Sequence, residues 1–235
     1  MAEISETGEF RSSDDNRNGE KIPLSLKAYD LIMNMILTGQ LRMGQSITED
    51  MLKNHLGMSK TPIREAIISL ENDGIISKMG RFYNVVYLTK DQINEIYEFK
   101  VELEALAAYY ATMRMSASMK RNLKQINDKI TKMSTDDADP ITLANLSGKL
   151  HALIAKGSGN SYIEKEINML RLRLRIVRIT IFTSAGRRTE EKEEHEVITQ
   201  AILGNDPMKA AEAMRKHQIG VWEYVRNEIV PKLYY

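Results

Sequence analysis

Cysteine is absent from this 235-residue chain, which excludes disulfides and thiolate metal sites and suits a reducing compartment. Long apolar runs are missing too: no charge-free stretch reaches the roughly 18 residues that a membrane span requires. The first twenty residues are polar and acidic and hold no apolar signal-peptide segment. A cytoplasmic protein is expected. A large charge of one sign is also lacking, since the net charge is only +1, and nothing global marks a nucleic-acid binder. Locally the balance is uneven: −4 over residues 1–20, +3 over 21–90 and +2 over 91–235. Non-specific affinity for a polyanion should therefore be modest and salt-sensitive, and a dimer would double it.

What is present is ordinary globular material, 43% hydrophobic and 28% charged, enough for two cores. Residues 1–20 have almost nothing to bury and read as a disordered tail. From Leu24, Ala28, Leu31, Ile32, Met35 and Ile36 fall at helical spacing until Thr38-Gly39. Ser46 or Thr48 can cap a second helix with Met51, Leu52, His55 and Leu56. After Gly57, Ser59 caps a third helix that carries Pro62 in its first turn, where a missing N–H costs little. Ile63, Ala66, Ile67 and Leu70 would be its buried face, and Asp73-Gly74 its stop. Ile75–Lys78 and Tyr83–Leu88 flank Met79-Gly80-Arg81 as a short hairpin. Two helices joined at a glycine and followed by a hairpin make a winged helix-turn-helix.

Beyond Thr89 the pattern is helical throughout, with spans predicted at 90–114, 116–134, 139–157, 160–183, 187–204 and 206–229. Arg171-Leu172-Arg173-Leu174-Arg175-Ile176 alternates with period two, as a strand does. Ile167, Leu170, Leu174, Val177 and Ile181 nevertheless form a helical seam over more than four turns, so helix is preferred. The expected fold is thus mainly α: a winged helix-turn-helix over 21–88, then an all-α bundle of six helices over 89–235.

The chemistry divides the same way. Ser59, Lys60 and Thr61 crowd a helix N-terminus, where free N–H groups and the dipole favour a phosphate. Arg64 can present its fork to the O6 and N7 of guanine. Gly80 and Arg81 form the tip of a wing for the adjacent minor groove, or simply an exposed turn. In the distal half His151, His195 and His217 sit on separate helices in phase with apolar residues. They can be core histidines in a hydrogen-bonded cluster, or they can converge on a divalent cation, zinc or nickel by donor type. Lys100 lies on an inward stripe with Glu104 one turn on as an ion partner. Arg171, Arg175 and Arg178 offer forks for carboxylate or phosphate, or bridge to neighbouring helices. Three histidines among cations favour a small organic acid as ligand.

Gly44-Gln45-Ser46-Ile47, His55-Leu56-Gly57-Met58-Ser59-Lys60-Thr61-Pro62-Ile63-Arg64-Glu65-Ala66 and Leu70-Glu71-Asn72-Asp73-Gly74-Ile75-Ile76 together resemble the GntR family of repressors. Tyr97-Glu98-Phe99-Lys100 with Leu103-Glu104, Leu150-His151 before Gly159-Asn160, Glu194-His195, and Ala210, Met214, His217 resemble its FadR-type branch. That branch carries an all-helical effector domain called FCD. The resemblance spans about residues 21 to 229. It implies a homodimeric repressor on a roughly palindromic double-stranded operator, controlled by an effector. It also implies DNA contacts from Ser59, Lys60, Thr61 and Arg64, with Lys60 standing where Arg is frequent. Lys100 would be a pocket cation in place of the more usual Arg. Many FCD domains hold a metal through three histidines and an Asp four residues before the first. Ser147 occupies that position here, so water or the effector's carboxylate would complete the set.

The competing reading is a metal-dependent hydrolase on the three-histidine site, for which Glu194 is the one adjacent candidate base. A structural or protein-interaction module is the third, and it would leave the DNA-reading motif as coincidence.

Overall fold

A computed structural model describes residues 23–80, 82–133 and 139–233. The tail expected at 1–20 and Arg81 at the hairpin tip lie outside the described residues. In the N-terminal part, α1 (Leu24–Leu37) is followed by β1 (Ser46–Ile47), α2 (Glu49–Leu56), α3 (Lys60–Asn72), β2 (Ile76–Met79) and β3 (Phe82–Val85). The three strands pair antiparallel in the order β1-β3-β2, with Ile47 opposite Tyr83 and Met79 opposite Phe82. This is the expected winged helix, with two local differences. Ser46 belongs to a two-residue strand, so the cap of α2 is Thr48, whose hydroxyl accepts from the Met51 N–H. Ser59 occupies the N-cap position of α3 without a side-chain cap bond.

Gly57 ends α2 with φ 62°, a left-handed conformation that glycine adopts at little cost. It turns the chain straight into α3. Ile63, Ala66, Ile67 and Leu70 are fully buried against α1, which leaves the opposite face of α3 in solvent. Asp73 caps the end of α3 and Gly74, at φ 68°, reverses the chain into the hairpin.

The C-terminal part contains α4 (Lys90–Arg114), α5 (Ala117–Met133), α6 (Pro140–Gly157), α7 (Ser161–Arg173), α8 (Arg175–Ile181), α9 (Ala185–Leu203) and α10 (Pro207–Tyr224). A π-helical turn, Val225–Ile229, and α11 (Val230–Leu233) complete it. Side-chain caps set several starts. Thr89 and Gln92 form a capping box at α4, and Asp139, Asn160 and Asp206 accept from the first N–H groups of α6, α7 and α10.

The helix expected over 160–183 is instead two. Leu174 departs from helical geometry, with φ −89° and ψ 11°, and serves both as the end of α7 and as the start of α8. Its backbone bonds persist across the break, from Leu174 N–H to Leu170 and from Arg178 N–H to Leu174. The apolar seam also survives, with Ile167, Leu170, Leu174, Val177 and Ile181 all buried. The helix expected over 206–229 likewise stops at Tyr224 and continues as the π turn.

The break lies where the two parts of the molecule join. Ile176, Ile179 and Phe182 of the α8 region, with Leu143 and Ala144 of α6, are buried in one cluster with the winged-helix core. Each large side chain buried there contributes about 1.5–3 kcal/mol. The Leu172 side chain covers Gly74 so closely that a Cβ on that glycine would lie 2.5 Å from it. Arg175 forms an ion pair with Asp73 at 2.9 Å, while the Tyr29 hydroxyl donates to the same carboxylate at 2.5 Å. The α7–α8 segment therefore grips the C-terminal end of α3.

Candidate functional site

On the winged helix, the two cations expected at DNA on α3, Lys60 and Arg64, are exposed and already partnered. Arg64 donates from Nε and Nη2 to both oxygens of Glu49, each at 2.9 Å. Lys60 lies 2.8 Å from Asp50. Both acids occupy the first turn of α2, where negative charge suits the helix dipole. The Glu49 and Asp50 carboxyls are held below their usual range chiefly by hydrogen bonds from Arg64 and Lys60 respectively. Pairs this exposed are worth little to stability, so they exchange readily for another anion. Ser59, Lys60 and Thr61 are exposed at the start of α3, and Gly80 turns the hairpin with φ 62°.

In the helical part, α6, α9 and α10 bring His151, His195 and His217 together. All three are buried, and one ligand nitrogen from each lies within 4.8 Å of the others. His151 Nε2 and His195 Nε2 are 3.3 Å apart. Two of the rings are fixed from behind by carboxylates. Glu104 of α4 lies 2.6 Å from His151 Nδ1, and Glu194 of α9 lies 2.6 Å from His217 Nδ1. A neutral imidazole that donates from Nδ1 leaves the Nε2 lone pair free, the arrangement that orients histidines toward a metal.

Charge follows burial. His151 is pushed down to about 4 by burial, in spite of Glu104, and His195 lies well below the usual range because of burial and its two imidazole neighbours. Both rings are neutral at pH 7. Burial also opposes ionisation of Glu104, yet His151 and Lys100 outweigh it and hold the carboxyl well below its usual value. The donor set fits a borderline divalent cation: three imidazoles, carboxylates on the far edges of two of the rings, and a buried His195 Nδ1 with no partner among the described residues.

His151 and His217 border a narrow cavity of about 40 Å³, on the scale of roughly two or three waters. Its walls include His151 and His217, Ser147 of α6, Lys100 and Glu104 of α4, Arg171 and Arg178 of α7–α8, and Glu191 of α9. Lys100 is doubly held, by Glu104 at 2.9 Å and by the Gln218 carbonyl at 2.5 Å. It thus has the ion partner expected from the sequence and faces the cavity as well. Among the described residues Arg171 donates only to Asn168, at 3.0 Å, and Arg178 makes no hydrogen bond or ion pair. Burial and the neighbouring Arg171 and Arg175 push Arg178 down to about 10.

Of the effector residues expected from the sequence, Lys100, Ser147, Arg171 and Arg178 meet at this cavity, and Arg175 does not. The regular helix that would align all three arginines is interrupted at Leu174, and Arg175 turns to Asp73. Three acids belong to the site, and of these only Glu191 carried no sequence signal. Glu104 and Glu194 hold imidazoles, and Glu191 is a buried cavity carboxyl that burial pushes up. For Glu104 a signal existed, since it lies one turn beyond an inward-facing lysine. Glu194 also takes both Nη atoms of Arg187, at 3.1 and 2.8 Å. The one acid considered as a hydrolytic base is therefore committed to positioning His217.

Among the described residues no helix is long and apolar enough to cross a membrane. Residues 24–81 match the model of bacterial regulatory proteins of the gntR family, and residues 95–219 match the FCD domain. The HTH-type transcriptional regulator YdhC of Bacillus subtilis is 25% identical over 205 residues, covering 87% of this chain and 90% of that protein. The HTH-type transcriptional repressor GlaR of Escherichia coli is 21% identical over 201 residues, covering 82% and 91%. The solved structure of Escherichia coli McbR/YncC shares the fold, with a TM-score of 0.60 and 20% identity over 88% of this chain and all of the other. YdhC and GlaR carry the names of transcriptional regulators, not of enzymes. The winged helix, the helical domain and both family matches make this chain a member of the GntR family of transcriptional regulators, in the FadR-like branch that carries an FCD domain.

Proposed function

We propose that the chain is a cytoplasmic, homodimeric repressor whose grip on a double-stranded operator is set by a small organic acid bound in the helical domain. The observation that carries this reading is the double duty of α7–α8. One side of that segment supplies Arg171, Leu174, Arg178 and Ile181 to the histidine cavity, and another holds Asp73 and Gly74 at the end of α3. A ligand that enters so narrow a cavity must displace this wall, and any displacement reaches the recognition helix. Coupling of this kind requires only that the ligand bind one arrangement better than the other.

His151, His195 and His217 would hold a divalent cation, zinc or nickel by donor type, and it would supply positive charge at the cavity end. Ser147, at the position where the resemblance expects Asp, leaves a coordination place for water or for the acid's carboxylate. At the DNA, Arg64 would exchange Glu49 for a guanine edge, and Lys60 would exchange Asp50 for a phosphate. Ser59 and Thr61 would donate to the backbone, and the wing at Gly80 and Arg81 would enter the minor groove.

Dimerisation is supported by α4, whose outer face exposes Phe99, Leu106 and Met113 at intervals of seven. A heptad-spaced apolar stripe on a 25-residue helix suits packing against its own copy about a two-fold axis.

The test is operator binding by fluorescence anisotropy, with zinc-loaded protein and a panel of small organic acids. The reading expects at least one acid to change the affinity about fivefold or more, corresponding to about 1 kcal/mol of coupling. No response to any acid, in protein that binds DNA normally, would count against it.

A further inference from the structure

Two guanidinium groups share the cavity without an anion of their own. Arg171 and Arg178 both approach Gly148 of α6: a Cβ there would lie 2.6 Å from Arg171 Nη2 and 3.2 Å from the Arg178 guanidinium. Each has a buried Nε with no partner. Lys100 is neutralised by Glu104, but neither carboxylate of the cavity makes a hydrogen bond or ion pair with either arginine among the described residues. Glu191 approaches Arg187 instead, with Nε at 3.9 Å. Like charges side by side and half-withdrawn from water are costly unless a counter-anion joins them. A planar carboxylate matches two such forks.

This pair lies apart from the histidines along the same helix. Gly148 and His151 are three residues apart on α6, about 4.5 Å along its axis. Resting on the reading that an organic acid occupies the cavity, we propose that the effector is a short dicarboxylate. One carboxylate lies at the three-histidine end, and the other is clasped by Arg171 and Arg178 over Gly148. So short a separation along α6 suits a short carbon chain. The absence of a side chain at residue 148 makes this second site, because any larger residue would drive the two forks apart.

Calorimetry on the full zinc-loaded protein tests this with butanoate, butanedioate, pentanedioate, hexanedioate and phosphoglycolate. At least one diacid should bind about tenfold or more tightly than butanoate, a difference of about 1.4 kcal/mol. Arg178→Met should bring that ratio close to one while the zinc content stays the same. Gly148→Ala should lower the ratio as well, which guards against a folding defect confined to one variant. Equal binding of diacid and monoacid, a preference for phosphoglycolate, or a ratio unchanged in both variants would overturn the proposal. If operator binding responds to monoacids equally well, the regulator reading stands and the diacid falls. If zinc fails to bind but diacids are still preferred, the metal falls and this assignment stands.

Discussion

Arg64 and Arg178 carry the same guanidinium in opposite surroundings. Arg64 is exposed and clamped by Glu49 through two hydrogen bonds, whereas Arg178 is half-buried in the helical domain and has no such partner among the described residues. The exposed cation loses little by trading one anion for another, because water screens both states. The half-buried one is screened less, so an incoming anion gains more from pairing with it. Residues of one type thus suit two tasks: reversible, salt-dependent attachment to a long polyanion, and selective capture of a small one.

The largest expected effect concerns the enclosed region. Glu104→Gln should weaken zinc binding by roughly 10–100-fold, since it removes the carboxylate that orients His151. His151→Ala should weaken it more. Competition with a chromogenic chelator measures both; an unchanged affinity in Glu104→Gln would mean that Glu104 does not orient His151 for the metal, and no zinc binding by wild type would mean that the histidine cluster is purely structural.

At the exposed region, Arg64→Ala should cost about 1–3 kcal/mol of operator affinity and relax base preference, whereas Lys60→Ala should lower affinity alike for all sequences. The salt slope should fall by about 0.9 for Lys60→Ala. Equal loss on specific and random DNA for both variants would erase the distinction between base reader and phosphate anchor.

The link between the regions comes next. Gly74→Ala faces a positive φ and a side chain 2.5 Å away, so it should destabilise the fold by about 1 kcal/mol or more, read by chemical denaturation. A stability equal to wild type would mean that Leu172 gives way freely and that the grip on α3 is loose.

The smallest effect is a pH signature of the same link. Burial, followed by the hydrogen bond to Asp73, raises Tyr29 from 10.0 to about 12. The folded state therefore keeps the phenol proton that the unfolded chain loses first. Its contribution is complete below pH 10 and disappears as pH rises through 12. After allowance for partial exposure it amounts to about 1 kcal/mol. Wild type should lose that much more stability than Tyr29→Phe between pH 9.5 and 11.5. Parallel curves would show that Asp73 does not hold the phenol.

The sequence revealed the two regions unequally. Gly57, Pro62 and Asp73-Gly74 act on their own backbone, so the helix-turn-helix could be read with nearly correct ends. The three histidines were legible because each sits in phase with a buried apolar stripe. The break at Leu174 was not, because its seam residues continue in helical register and the departure coincides with tertiary contacts to Gly74 and Asp73. Arg175 was assigned to the cavity by the same regular-helix assumption and faces the other way. Glu191 lies in a run of acids that looks like a solvated face, and only packing shows that it reaches the buried site; Glu194 was placed beside the histidines, but as a base and not as the carboxylate that holds His217. Ser46–Ile47 is too short a strand to carry a periodicity signal.

The most direct test of the account is the operator dissociation constant measured with and without saturating dicarboxylate, in zinc-loaded wild type and in Arg175→Met. Wild type should change at least fivefold, and Arg175→Met should respond less while binding the diacid equally well. An operator affinity indifferent to a cavity demonstrably filled would contradict the claim that α7–α8 carries ligand binding to the recognition helix.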